Sequence, residues 1–151
     1  MDETKHLHLP HNEKLFTTDA NSMYNNIDTD HGIRVISWWL KDLDIKSQLP
    51  NNLPLEAVIY DMETIMRNNV FEWGDMHFIQ ILGTAMGTSS AVMWATLYYA
   101  CHVVHKLVPL HGQFLLYFIR FIDDIFGIWI GNTTTEWVRF CDDVDNYGIL
   151  T

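Results

Sequence analysis

Leu115-Leu116-Tyr117-Phe118-Ile119-Arg120-Phe121-Ile122-Asp123-Asp124-Ile125-Phe126-Gly127-Ile128-Trp129-Ile130 sets two adjacent carboxylates in the middle of a long apolar, β-branched and aromatic run. Such a run reads as paired buried strands. Burying one ionised carboxylate without a partner is costly, and two side by side repel each other. A turn between two strands resolves the conflict. Both acids then sit at an exposed tip, facing a metal cation.

The Asp-Asp dipeptide says nothing without its flanks, since about one such pair is expected by chance at this composition. A second pair, Asp142-Asp143, lies in a different setting. Trp137, Phe140, Cys141 and Val144 recur around it at helical spacing, so that pair reads as part of a solvated helix face.

At 151 residues the chain is one domain or part of one, and its 48% apolar fraction excludes general disorder. No uninterrupted apolar run is long enough to span a bilayer, and Met1-Asp2-Glu3-Thr4-Lys5-His6 lacks the pattern of a signal peptide. Cys101 and Cys141 form neither a framework nor a C-x-x-C pair. Both fall on apolar helix faces and read as buried thiols of a reducing, intracellular compartment, without disulfides. The formal charge of -10 argues against a free-standing nucleic-acid binder.

Residues 1–13 read as a polar lead-in, and His6, His8 and His11 lack the partners a metal site needs. Lys14 to Asp19 reads as a short strand ending in an acid, followed by a polar turn around Tyr24. Asp28 or Thr29 caps a helix to about Leu43, with a stripe of Ile33, Ile36, Leu40 and Leu43. Pro54 opens a second helix, whose stripe of Leu55, Val58, Ile59, Met62, Ile65 and Met66 reads as core. Val70–Trp73 and Met76–Ile81 flank Gly74-Asp75 as a hairpin. A loop of small residues, Gly83 to Ser90, leads into a helix from about Ser89 to Lys106 that Pro109 and Gly112 end. His102 and His105 on it read as core or surface histidines. Gly148 to Thr151 looks like the start of another strand. Strands and helices without strict alternation predict an α+β fold with an antiparallel sheet packed on helices.

If the strand ending at Asp19 neighbours the strands around Asp123-Asp124, three carboxylates converge at one end of a sheet. Hard oxygen ligands of this kind suit Mg²⁺, and two such ions support phosphoryl or nucleotidyl transfer. Tyr24 either packs the strand end or stacks under a sugar and excludes a 2′-hydroxyl. The Gly83–Ser90 loop is either a tight connection or a place where backbone approaches a substrate. It is not a P-loop, because no Lys follows Gly87.

Three pieces together resemble the successive palm motifs of reverse transcriptases. Leu15-Phe16-Thr17-Thr18-Asp19 through Tyr24 and Ile27 is similar to the first. Gln80 through Gly83-Thr84-Ala85-Met86-Gly87-Thr88 is similar to the second. Arg120-Phe121-Ile122-Asp123-Asp124 is similar to the third, with wording closest to the Penelope-like retroelement polymerases. The resemblance implies a polymerase palm over residues 14–151, incomplete at both ends, with fingers and thumb largely missing. It implies that Asp19, Asp123 and Asp124 hold two Mg²⁺ ions, with Mn²⁺ as a substitute. Ala20, Tyr24 and Gln80 would contact the incoming deoxynucleotide, with Tyr24 as steric gate. Gly83, Thr84, Ala85, Met86, Gly87 and Thr88 would contact an RNA or DNA template and its primer. Ser89-Ser90 stand where the family usually carries Pro, and Phe121 stands where Tyr is commoner. The alternative is a relic or a domesticated interaction module that keeps the fold without catalysis.

Overall fold

The computed structural model describes residues 13–20, 22–85 and 87–147. The expected lead-in with its three histidines, and the strand expected at 148–151, lie outside the described residues apart from Glu13.

The strands form where the apolar runs predict them. β4 (Leu115–Phe121) and β5 (Asp124–Trp129) are joined by Ile122 and Asp123 alone, and β1 (Lys14–Asp19) pairs with the other edge of β5. The order is β1-β5-β4, antiparallel throughout. Because side chains alternate along a strand, this register divides the sheet into two faces. Phe16, Ile125 and Trp129 are buried on one, while Leu15, Ile119, Phe121 and Phe126 are exposed on the other. Gly127 makes the buried face possible. A Cβ there would stand 2.5 Å from the Phe16 ring, which lies across the central strand. Phe16 then meets Trp137 and Phe140 edge-on, with centroids 5.4 and 5.3 Å away. Trp129 joins the same cluster at 5.1 Å from Phe140. Burying a ring of this size contributes about 2–3 kcal/mol of transfer free energy.

α1 (Met23–Asn26) follows β1 and supplies buried Met23. α2 (Thr29–Ile45) starts where the Asp28 side chain accepts a hydrogen bond from the His31 N–H at 2.7 Å. Its Ile33 and Ile36 reach the core beside Trp94, Ala95, Tyr98 and Tyr99 of α4 (Ala91–His102). α6 (Thr134–Asp145) carries a capping box between Thr133 and Glu136 and buries Phe140 and Val144. The mixture is α+β with an antiparallel sheet, as the sequence predicts.

Several expectations need correcting. In α3 (Leu55–Arg67) only Ile59 and Met66 of the apolar stripe are buried; Val58 and Ile65 face solvent. Pro54 stands at the N-cap rather than in the first turn. Pro109 does not end the long helix. A five-residue π turn, Val103–Leu107, shifts the hydrogen-bond ladder, and the Val108 N–H reaches Val103 O. Pro109 then enters the first turn of α5 (Val108–His111), where its missing N–H costs little. A 3-10 turn, Gly112–Phe114, leads into β4.

Asp142 is exposed, but Asp143 is not a solvated acid. Its carboxylate accepts from His111 Nε2 at 2.9 Å and pairs with Lys106 Nζ at 3.2 Å, beneath the long helix. Cys141 is exposed, whereas Cys101 is buried and its thiol is pushed up to about 11 by desolvation. Both cysteines are free. Among the described residues no helix is long and apolar enough to cross a membrane. β2 (Val70–Trp73) and β3 (Met76–Ile79) form the predicted hairpin, two residues shorter at its far end, and every residue of both strands is exposed.

Candidate active site

Register places Asp19, the last residue of β1, directly opposite Asp124, the first of β5. Phe121 of β4 is Asp124's other neighbour. Asp123 stands on the turn between β4 and β5, and its carbonyl accepts the Ala20 N–H at 3.1 Å, tying the end of β1 to that turn. The tip therefore holds one acid rather than two. The two-residue turn takes Ile122 as its first central residue, so Asp124 falls back into the strand and onto the exposed face.

Ile122 has φ +57. A β-branched side chain in the left-handed region is an outlier, at a cost of about 1–3 kcal/mol. Two contacts hold it there. Its half-buried side chain packs against the core, and its carbonyl accepts a hydrogen bond from Arg120 Nη1.

The carboxyl group of Asp19 is raised above its ordinary value, first by desolvation and then by the charges of Asp123, Asp124 and Asp145. Among the described residues no ion pair reaches Asp19, Asp123 or Asp124. Like charges directly opposite each other weaken a strand pair. This is an uncompensated cluster of oxygen donors, and its chemistry fits a hard divalent cation. Among the described residues no three His, Cys, Asp or Glu side chains are grouped closely enough to form a cage by themselves. Mg²⁺ commonly needs only one or two carboxylates, completed by water and phosphate. Beside the acids an open groove of about 630 Å³ runs along the exposed face, lined by Thr17, Asp19, Ile119, Phe121, Asp124 and Phe126.

A second group of sequence-predicted residues assembles at α1. The Gly83 N–H donates to Ile27 O at 2.9 Å, and the Thr84 N–H to Tyr24 O at 2.7 Å. Gly83 has φ +74, and a Cβ there would meet Tyr24 O at 2.6 Å. Only glycine permits this approach. Tyr24, half-buried against the core, is thus fixed at its backbone by the loop. Thr84 is buried with its hydroxyl unpartnered, whereas Ala85 and Thr88 are partly exposed. The Thr88 hydroxyl donates to Ala85 O at 3.1 Å, Gly87 is exposed at φ +105, and Met86 lies outside the described residues. Gln80 is held by its own segment, its N–H on Asn69 O at 2.8 Å and its side-chain amide on Leu82 O at 2.9 Å. Ala20 is buried, with its N–H spent on Asp123.

Sequence reasoning missed Arg120 and Asp145. A signal for Arg120 was present: a lone cation in an apolar strand requires partners. None existed for Asp145, whose proximity to Asp19 depends on how α6 docks. Comparison with known protein families, curated proteins and solved structures finds no match to this chain.

Proposed function

We propose that the chain is the palm of an RNA-directed DNA polymerase, a reverse transcriptase of the retroelement kind. The observation that carries this reading is the pairing of Asp19 with Asp124, with Asp123 on the adjoining turn. Asp19 and Asp124, about a hundred residues apart in sequence, pair at one sheet end beside an open groove, with Asp123 on the adjoining turn, which supports a two-metal nucleotidyl transfer reading. Asp19, Asp123 and Asp124 would hold the Mg²⁺ ions. Those ions, when bound, supply activation of a primer 3′-hydroxyl and charge neutralisation on the departing pyrophosphate. The remaining roles belong to the chain itself. Tyr24, whose carbonyl accepts the Thr84 N–H, would act as the steric gate that admits a deoxyribose and rejects a 2′-hydroxyl. Gln80 would contact the incoming nucleotide, and Ala85, Gly87 and Thr88 the template and its primer.

The test is templated primer extension in Mg²⁺ by a longer form of the chain that includes flanking coding sequence. Asp123→Ala is expected to abolish synthesis, and unchanged activity refutes the assignment. The 151-residue chain alone, at net charge -10, has little to hold an anionic duplex and is expected to be nearly inactive. Robust synthesis by it overturns that expectation.

One observation favours a second reading, a non-catalytic interaction module. The β2–β3 hairpin exposes Val70, Phe71, Trp73, Met76, Phe78 and Ile79 together, more apolar surface than an isolated hairpin carries without a partner. Divalent-cation binding separates the two readings, since the module has no need of it.

A further inference from the structure

Arg120 is the only charged residue of β4, and it lies on the inner side of the sheet, half-buried. Its guanidinium bridges two elements. Nη1 donates to the carbonyl of Ile122 in the carboxylate turn, and Nη2 donates to Thr96 O of α4 at 3.2 Å. The same group lies over the Tyr99 ring, 5.5 Å from its centroid. Tyr99 is itself anchored, its hydroxyl donating to Val144 O of α6 at 3.0 Å. Among the described residues no carboxylate pairs with Arg120; carbonyl oxygens and an aromatic face take its charge. A half-buried cation without a counter-ion is a poor way to stabilise a core, and an apolar side chain of similar size would serve stability as well or better. What only a planar fork does is hold two carbonyls of different elements in one plane at a fixed separation.

One of those carbonyls belongs to Ile122, the residue at φ +57. The next residue's carbonyl accepts the Ala20 N–H, and the residue after that faces Asp19. We propose that Arg120 is a positioning residue. It clamps the left-handed Ile122 carbonyl against α4 and thereby fixes where Asp123 and Asp124 stand relative to Asp19. Without the clamp, Ile122 relaxes toward negative φ, the Ile122–Asp123 peptide rotates, and the Ala20–Asp123 hydrogen bond opens. The purpose assigned to the turn rests on the metal-binding reading given above. The clamp itself does not.

The experiment uses the 151-residue chain and has two arms. The first is hydrogen exchange at the Ala20 amide. The Ile130 amide, bonded to Phe114 O at 2.8 Å at the opposite end of the sheet, serves as reference. The second is Mn²⁺ affinity by electron paramagnetic resonance. Arg120→Met is expected to lower Ala20 protection relative to Ile130 by about tenfold or more, the equivalent of a charge-assisted hydrogen bond. It is also expected to weaken Mn²⁺ binding. Arg120→Lys, which reaches one carbonyl but not both, falls between Met and wild type in both arms. Ile36→Val, a loss in the buried core away from the turn, lowers the melting temperature and leaves the Ala20-to-Ile130 ratio and the Mn²⁺ affinity at the wild-type value. Ala20 protection that simply follows Ile130 in Arg120→Met overturns the proposal. If Arg120→Met does not fold, Arg120→Lys decides alone, and wild-type Ala20 protection in it overturns the fork. A wild-type chain that binds no Mn²⁺ sinks the metal reading, while the Ala20 arm still decides the clamp.

Discussion

Asp19 occupies the position where another negative charge is least welcome. It faces Asp124 across the strand pair and feels Asp123 and Asp145 as well. Its raised carboxyl means that the folded chain holds that proton more tightly than the unfolded chain does. The resulting penalty is absent at pH below the unfolded value and present once pH rises through the folded one. Asp19→Asn is therefore expected to raise the melting temperature slightly at pH 7 in metal-free buffer; solvent screening keeps the gain small. The gain vanishes in acid. In millimolar Mg²⁺ the order reverses, because the wild type gains and the Asn variant does not. Thermal melts at two pH values, with and without Mg²⁺, check this, and equal melting temperatures throughout would refute it. Asp123 and Asp124 were conspicuous in the sequence because their flanks are hydrophobic, and Asp19 because it ends a strand. The conformation of Ile122 was not: nothing in Ile-Asp signals positive φ as Asn-Gly does.

Elements were legible wherever one strong local force decides them. The apolar run around Asp123-Asp124 marked β4 and β5 as a strand pair, and Lys14–Asp19 as a strand, while the placing of β1 beside β5 came from the fold. The Asp28 cap started α2, and the small-residue loop preceded α4. The failures lie in tertiary packing and in the helix ladder. A stripe such as Val58 and Ile65 on α3 shows that a face is apolar, not that anything covers it. Pro109 is a stop signal only while the ladder keeps its α register, and the π turn before it removes that condition. Asp143 carries helix-surface spacing, yet α6 packs where His111 and Lys106 meet it. The junction of α1 with the Gly83 loop offers a direct test of element docking. Gly83→Ala combines a positive φ with a Cβ 2.6 Å from a carbonyl oxygen, so a loss of about 2–4 kcal/mol is expected. Chemical denaturation measures it, and a change below about 1 kcal/mol would show that the loop is not seated on Tyr24 as described.

At the scale of the whole molecule, the polar centre beneath the long helix makes the fold sensitive to acid. His102 is buried and bonds Asp143 O at 2.7 Å, and its other ring nitrogen has no partner. Burial holds its pKa below the ordinary value of 6.5. The unfolded chain therefore takes up that proton first. Stability is complete above 6.5 and is lost as pH falls through the unfolded value toward the folded one. Desolvation pushes Asp143 up, but the hydrogen bonds and charges of His111 and Lys106 outweigh it and leave its carboxyl low. Its contribution is present above the unfolded carboxylate value and is lost in stronger acid, as pH falls through the folded one. Urea titrations are expected to show a fall in stability between about pH 7 and 5 that His102→Gln flattens. A wild-type profile without slope in that interval would exclude it. The sheet order also has a consequence in time. Among the described residues β1 pairs with β5 alone, which leaves the ribosome about a hundred residues after it, and closing so long a loop costs about 4 kcal/mol. Until β5 emerges, Leu15 and Phe16 lack the strand they pair with here. Asp19 meets Asp124 only after β5 has been made, so a product that stops short of β5 carries an unpaired β1 and no Asp19–Asp124 pair.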